Sequence, residues 1–378
     1  MDFRLTEEQE ALRAEARAFA DEVLAPEAGA RDAGKVFPTE QVQAAARLGY
    51  CGLLIEEKYG GREVGNLAQA LILEELARAD ASTHVTISVH NSLVTGPIGK
   101  WGSDALKQEF LPRLATGELL GAYALTEPDS GSDAASMTSV AVRDGEDWVL
   151  NGTKMWITTG ETADLLVVFA RTNKELPNAK GISAFVVDGN QPGVTFGKCE
   201  NKTGLRASET VQVFFEDVRV SAGNMLGEEN RGFNYALLTL NGGRVGIGTQ
   251  AVGIAQAALD AAIKHFDGKA VPKGSAFSTQ DVDFKLAEMA TKVEASRLLV
   301  WRAAQLRDLG VDHQREASMA KLFASRSCNE VCRDAVALMG PAGQAGDAER
   351  FLRDARVTEI YEGTTEIQKL VVARTLVG

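Results

Sequence analysis

The chain is poor in cysteine, in positive charge and in long uncharged stretches, and each shortage closes off a class of function. Its four cysteines, Cys51, Cys199, Cys328 and Cys332, fit neither a zinc-ligand spacing nor a secreted disulfide framework. Cys328 and Cys332 stand at helical i, i+4 spacing and read as two buried thiols. No metal is expected, and a reducing compartment is. Lys and Arg total 40 against 52 Asp and Glu, a net charge of −12. Neutralising a phosphate backbone takes clustered cations, so no nucleic-acid partner is expected. The run from Ala81 to Gly99 carries no charge, but His84, His90, Asn91 and Pro97 make it a poor membrane span. It reads as a buried helix and loop, and no membrane partner is expected. Met1-Asp2-Phe3-Arg4 lacks the apolar core of a signal peptide and the Arg/Ser-rich character of a transit peptide. The expected location is cytoplasmic. Internal repeats and low-complexity tracts are absent.

What is present is typical of a soluble globular protein: 378 residues, 45% hydrophobic and 24% charged, enough for two or three packed units. Three regimes divide it, at residues 1–120, 121–226 and 227–378. The first is helical. Thr6-Glu7-Glu8-Gln9 has the form of a capping box, and Pro26 is expected to end the helix it opens. Further helices are expected over Gln41 to Leu48, Leu67 to Ala79 and Ala105 to Ala115. The second regime changes period. Asn151-Gly152 lies between two apolar runs and predicts a hairpin turn. Leu165 to Ala170, Ile182 to Val187 and Val211 to Phe215 add strands without intervening helices, which indicates a small antiparallel sheet or barrel. The third regime is helical again, with Leu286, Met289, Val293, Ser296, Val300 and Ala304 at three-or-four spacing along one long helix.

Chemistry concentrates in four segments. Ile360-Tyr361-Glu362-Gly363-Thr364 sets a carboxylate between an aromatic ring and a glycine, on a helix-entry turn ahead of Ile367, Leu370 and Val371. Those neighbours can desolvate Glu362 and raise its pKa toward that of a general base. The plainer reading is a Glu that complements a helix dipole. Tyr123 to Asp133 is a hydroxyl-rich loop at the junction of helical and β regimes, where ligand sites gather; an ordinary Ser/Gly connector reads equally well from composition. Trp156-Ile157-Thr158 ends a strand with an indole on which a flat cofactor can stack beside a hydroxyl donor; a core tryptophan is the alternative. Asn241-Gly242-Gly243-Arg244 is expected to open a helix, with Arg244 available to a phosphate. Gly246-x-Gly248 follows no strand and is not a dinucleotide fingerprint.

Taken together, Thr126-Glu127-Pro128-x-x-Gly131-Ser132-Asp133, Asn151-Gly152-x-Lys154-x-Trp156-Ile157-Thr158 and Arg353-Asp354-Ala355-Arg356 leading to Tyr361-Glu362-Gly363-Thr364 resemble the acyl-CoA dehydrogenase family. The ordered set is specific, covers almost the whole chain and looks most like the short-chain, butyryl-type enzymes. The resemblance implies an α+β, mostly α fold: an N-terminal helical domain, a middle antiparallel β-barrel and a C-terminal four-helix bundle. It implies FAD, an acyl-CoA substrate, electron-transferring flavoprotein as acceptor, and a homotetramer or a hetero-oligomer with a paralogue. By matched position, Tyr123, Leu125, Thr126, Gly131, Ser132, Trp156, Ile157, Thr158, Thr364 and Glu366 would hold the flavin. Lys269 and Gln280 would also reach the cofactor. Ser132, Asn241, Arg244 and Gly363 would contact the substrate, and Glu362 would remove its α-proton. Some members carry the base just before the matching arginine; here that position is Gly243.

Three elements depart from the family pattern. The Arg-x-x-Phe-Gly motif that clamps the FAD pyrophosphate across a dimer is replaced by Lys269, Pro272 and Lys273. A Gln and Gly-Gly-x-Gly element appears as Ala337 and Gly340-Pro341-Ala342-Gly343. The Asp that opens the CoA-contact motif is Asn241. Lysine keeps a charge but loses the bidentate fork of arginine. FAD held by other contacts, a clamp supplied by a paralogous subunit, and a flavin-poor acyl-CoA-binding subunit are the three explanations. The retained Glu362 and Trp156 favour a working flavoenzyme.

Overall fold

The computed structural model describes residues 4–269, 271 and 275–377; Pro272 and Lys273 lie outside them. The first helices are α1 (Glu7–Phe19), α2 (Ala25–Gly34), α3 (Thr39–Arg47), α4 (Asn66–Ala79), α5 (Ala81–Val89), α6 (Gly96–Trp101) and α7 (Asp104–Ala115). The capping box forms: Gln9 N–H donates to Thr6 Oγ1 at 3.2 Å, and Thr6 N–H to Gln9 Oε1 at 3.0 Å. Pro26 does not end the helix. A π-helical turn, Ala20–Leu24, leads into α2 with Pro26 in its first turn, where a missing N–H removes little. The Ala81–Gly99 run behaves the same way: α5 passes through a π turn, His90–Thr95, into α6 with Pro97 in its first turn. Asn91 is satisfied internally, whereas both ring nitrogens of the buried His84 have no partner. Asn91 Nδ2 donates to the carbonyls of Tyr50 and Ile87, at 2.7 and 2.9 Å, and its Oδ1 accepts from Leu53 N–H at 2.9 Å. No helix among the described residues is long and apolar enough to cross a membrane.

The strands are β1 (Gly121–Ala124), β2 (Val140–Asp144), β3 (Asp147–Thr158), β4 (Leu165–Arg171), β5 (Ile182–Asp188), β6 (Val194–Phe196), β7 (Thr210–Val220) and β8 (Met225–Leu226). They form one sheet in the order β6-β7-β3-β2-β4-β5-β8, with β1 pairing parallel to β4. Other pairs are antiparallel, apart from a single parallel pair joining β2 to β4. The hairpin turn is not at Asn151-Gly152. Asp144 pairs with Asp147, so the chain reverses at Gly145 and Glu146. Asn151 lies inside β3 at a register shift, where its side chain bonds Asp217 of β7: Nδ2 to Oδ1 at 3.1 Å and Asp217 N–H to Oδ1 at 2.9 Å. A side-chain bridge across a bulge took the place of the turn.

The unbroken apolar run of β4 reflects burial on both faces. Leu166, Val168 and Ala170 enter the core of the sheet, while Leu165, Val167 and Phe169 join the helical core. β1 alternates likewise, so Ala122 and Ala124 face the sheet core and Tyr123 faces the helices.

The remaining helices are α8 (Gly232–Phe266), α9 (Thr279–Asp308), α10 (Gln314–Met339), α11 (Pro341–Ala345), α12 (Asp347–Ala355) and α13 (Thr365–Val377). Met289, Val293, Ser296, Val300 and Ala304 of α9 are buried, as their spacing predicts. Asn241–Arg244 does not open a helix: α8 starts nine residues earlier, and the segment sits in its interior. α8 is buried along most of its length and lies tight against α4. A Cβ on Gly253 would stand 2.5 Å from the Glu74 carbonyl oxygen and 2.8 Å from Arg78 N. Both are backbone atoms that cannot turn aside. Gly253→Ala should therefore force α4 and α8 apart and cost about 1–3 kcal/mol, read as a lowered denaturation midpoint; an unchanged midpoint would show that the helices slide freely.

Candidate active site

One half of the site is built on the sheet. The loop after β1 is held by a buried ion pair. Glu127 accepts from Thr138 N–H at 2.6 Å, Thr138 Oγ1 at 2.8 Å and Ser139 N–H at 3.0 Å. Lys154 Nζ donates to Glu127 Oε1 at 2.8 Å and to the Leu125 carbonyl at 3.2 Å. Burial by itself would raise the Glu127 carboxyl; Lys154 and these donors outweigh it and hold the carboxyl down at about 2. Burial lowers the Lys154 ammonium to about 8, against the pull of Glu127. Met155 N–H donates to the Thr126 carbonyl at 2.8 Å, so loop and β3 are fixed to one another. Gly131 and Ser132 are exposed on the loop, and Leu125 is buried.

β3 shifts register between Lys154 and Ile157. Within that shift Trp156 takes φ 61°, a left-handed conformation uncommon for a bulky residue. The distortion turns its indole outward: Trp156 is 53% exposed, while Ile157 is buried in the sheet. The core-tryptophan alternative is thereby excluded. Thr158 pairs with Thr210 on β7.

The other half is the turn before α13. Glu362 and Gly363 both have positive φ, 51° and 95°. Gln368 Nε2 and Lys321 Nζ donate to the Gly363 carbonyl at 2.9 and 2.6 Å, and Ile367 N–H donates to Thr364 Oγ1 at 3.4 Å. Among the described residues, no acceptor lies within hydrogen-bond reach of the Glu362 or Gly363 N–H groups. Glu366 is exposed in the first turn of α13.

The Glu362 residue is partly exposed, but its Oε2 is buried and has no hydrogen-bond partner. That oxygen stands 1.8 Å from where a Cβ on Gly243 would be, so only glycine leaves it room. Burial raises the Glu362 carboxyl to about 7, opposed by the charges of Lys321 and Arg244. The Tyr123 hydroxyl is likewise buried without a partner, and burial and the Glu362 charge push it well above its ordinary range. Arg244 Nη1 donates to Asn241 Oδ1 at 2.8 Å and Ser318 Oγ at 3.4 Å. Tyr361 Oη donates to Gln250 Oε1, and Gln250 Nε2 donates to the Ala81 carbonyl at 2.9 Å.

The structure thus gathers Tyr123, Arg244, Glu362 and Gly363, and it locks Leu125 and Thr126 to β3. Lys269 and Gln280 are exposed at the corner between α8 and α9 and bond to none of these residues among those described. Sequence reasoning missed Lys321, Gln368 and Gln250, which bond to Gly363 and Tyr361. One signal was available for Lys321: it falls in register with Ala317, Ala324 and Cys328, a lysine on a core stripe.

Helical, β and helical regions that converge on a buried carboxylate define a three-part enzyme fold, and the comparisons agree. The acyl-CoA dehydrogenase N-terminal, middle and C-terminal domain models match residues 6–118, 122–218 and 230–377. The mitochondrial short-chain specific acyl-CoA dehydrogenase of Mus musculus is 45% identical over 98% of this chain and 90% of its own. The butyryl-CoA dehydrogenase structure from Megasphaera elsdenii covers both chains fully at 39% identity and a TM-score of 0.97. A chain from work on the electron transferring flavoprotein of Acidaminococcus fermentans and electron bifurcation also covers both fully, at 41% identity and a TM-score of 0.96. This chain belongs to the acyl-CoA dehydrogenase family. It is an oxidoreductase that acts on the CH–CH bond of an acyl-CoA with FAD as its cofactor.

The residues present suit that cofactor. A flat ring system needs an exposed aromatic surface and a polar atom awaiting a partner; Trp156 supplies the first and Tyr123 Oη the second. The described residues hold no group of side chains able to ligate a metal. A direct test of the arrangement is Gly243→Ala. The added methyl occupies the position of the carboxylate, so turnover should fall by at least about 10²-fold while flavin absorbance and folding persist. Normal turnover would show that Glu362 works from another position.

Proposed function

We propose that Glu362 is the general base of this dehydrogenase and removes the α-proton of a short-chain acyl-CoA, yielding the trans-2-enoyl-CoA. The observation that carries the reading is the buried, unpartnered Oε2 on a carboxyl raised to about 7. A base is most effective when its pKa lies near the working pH. Desolvation also strips the carboxylate of water that would compete for the proton. FAD, when bound, supplies the two-electron acceptor for the β-hydrogen. The unpaired N–H groups of Glu362 and Gly363 suit a thioester carbonyl whose oxygen gains charge as the proton leaves. Removing one donor of this kind from other enzymes costs roughly 10²–10³ in rate.

Ser132, Asn241 and Arg244 are proposed to line the CoA portion, with Arg244 oriented by Asn241. Tyr123, Leu125, Thr126, Gly131, Ser132, Trp156, Ile157, Thr158, Thr364 and Glu366 are proposed to border the flavin. Lys269 and Gln280 are proposed to reach the cofactor bound by a second copy. Exposed apolar side chains on α9, α10 and α13, among them Phe284, Phe323, Leu370 and Leu376, support a homotetramer. The structural relative from the bifurcation study supports electron-transferring flavoprotein as the acceptor. Free cysteines at positions 51, 199, 328 and 332 fit a reducing compartment such as the cytoplasm. The domain division at residues 120 and 226 is the proposed frame for all of this.

Glu362→Gln keeps the shape and loses the proton acceptor. Flavin and acyl-CoA binding should persist while turnover falls by at least about 10³-fold; near-normal turnover removes Glu362 from the mechanism. In the unaltered enzyme kcat/KM should rise with pH through about 7, the value to which burial lifts the carboxyl, because only the ionised form accepts a proton. A flat profile across neutrality would contradict the assignment.

A further inference from the structure

We propose that Lys321 is a positioning residue for this reaction: its ammonium holds the Glu362–Gly363 turn by the Gly363 carbonyl and, through its charge, keeps Glu362 in the carboxylate form. The inference rests on the reading of Glu362 as the base.

Lys321 lies in the first third of α10 and is 1% exposed. Its Nζ donates to the Gly363 carbonyl at 2.6 Å. Among the described residues that is its one hydrogen-bond acceptor, and no carboxylate stands within ion-pair distance. An ammonium carries three N–H donors, and burying it with one neutral acceptor is expensive. Holding the carbonyl does not require a charge, because Gln368 Nε2 already donates to the same oxygen at 2.9 Å. What lysine adds is the cation.

The charged and titratable groups around the turn come from every element that packs there. Lys321 of α10 and Arg244 of α8 act on Glu362, with Lys321 the larger influence. Glu362, Arg244 and Glu359 act on Lys321. Tyr123 of β1 and Tyr361 of the turn are buried phenols raised well above their ordinary range, so both stay neutral. Burial lowers the Lys321 ammonium to about 8 and Glu362 pulls it back up, which leaves it charged at neutral pH. Arg244 Nη1 donates to the neutral Asn241 and Ser318, which orients the guanidinium and leaves its charge intact, but its influence on Glu362 is the smaller of the two. Lys321 is the larger of the two counter-charges to the base.

The sign follows directly. Without the cation the carboxylate is less favoured, so Glu362 ionises at higher pH and the acid limb of kcat/KM moves up. A nearby opposite charge is worth about 1–3 pKa units. The test uses the purified holoenzyme with butyryl-CoA, comparing Lys321→Met, Lys321→Gln and Lys321→Arg across pH. Both neutral variants should shift the acid limb upward by about 1–3 units and recover rate in alkali, while Lys321→Arg keeps the limb near its original place. Lys321→Gln retains a donor for the Gly363 carbonyl, so it separates charge from hydrogen bonding and serves where Lys321→Met fails to fold. An unmoved limb in a folded neutral variant overturns the proposal. Loss of folding in both neutral variants overturns it as well, since Lys321 would then be a stability residue. Glu362→Gln is run alongside: if it keeps turnover, the base reading falls and takes this one with it. If it is inactive and the Lys321→Gln limb stays in place, only the role of Lys321 falls.

Discussion

A carboxylate oxygen pressed against helix backbone, with no hydrogen bond of its own, is the constraint on which the rest of this structure depends. Glu362 reaches that position because Gly243 has no side chain and because the turn before α13 adopts two successive left-handed residues. Burial of the charge is unfavourable, and the surroundings offset only part of it. Two cations lie nearby, yet neither forms a direct ion pair with Glu362 among the described residues. A closer pair would stabilise the fold further and leave a carboxylate too weakly basic for the chemistry. On the proposed role of Glu362, the arrangement trades stability for a proton acceptor poised near neutrality.

The sheet meets the opposite requirement. Glu127 and Lys154 are also buried, but they are paired at 2.8 Å, and Glu127 accepts three further hydrogen bonds. This carboxylate is held far below neutrality and does no proton chemistry at ordinary pH. Its effect is geometric, since the same lysine fixes Leu125 and thereby the loop that follows β1. Two carboxylates on one chain thus separate into a structural group and the proposed reactive one according to whether a partner is in contact.

Much of this was legible in the sequence. Helix positions followed from apolar spacing, and the Thr6 capping box from a four-residue pattern. Glu362 stood out by its glycine and aromatic neighbours. Elsewhere local rules lost to tertiary context. Pro26 looked like a helix terminator, but a π turn ahead of it supplied a new first turn in which proline is tolerated. Asn151-Gly152 looked like a hairpin turn until Asp217, far along the chain, offered the asparagine a partner. Lys321 and Gln368 escaped notice because their importance depends on the carbonyl of Gly363, a backbone atom that no side-chain pattern records. The positive φ of Trp156 is also invisible in sequence, although it decides that the indole faces outward.

The corner that carries Lys269 is where the sequence is expected to depart from the family pattern, and Arg244, Lys321 and Glu362 lie away from it. On the proposed reading, this chain binds FAD and oxidises its substrate without a paralogous subunit. The decisive measurement is the visible absorbance spectrum of the protein expressed alone, recorded anaerobically before and after addition of butyryl-CoA. A flavin spectrum that bleaches on addition is the predicted result. A protein that stays colourless with added FAD, or a bound flavin that the acyl-CoA leaves oxidised, would contradict it.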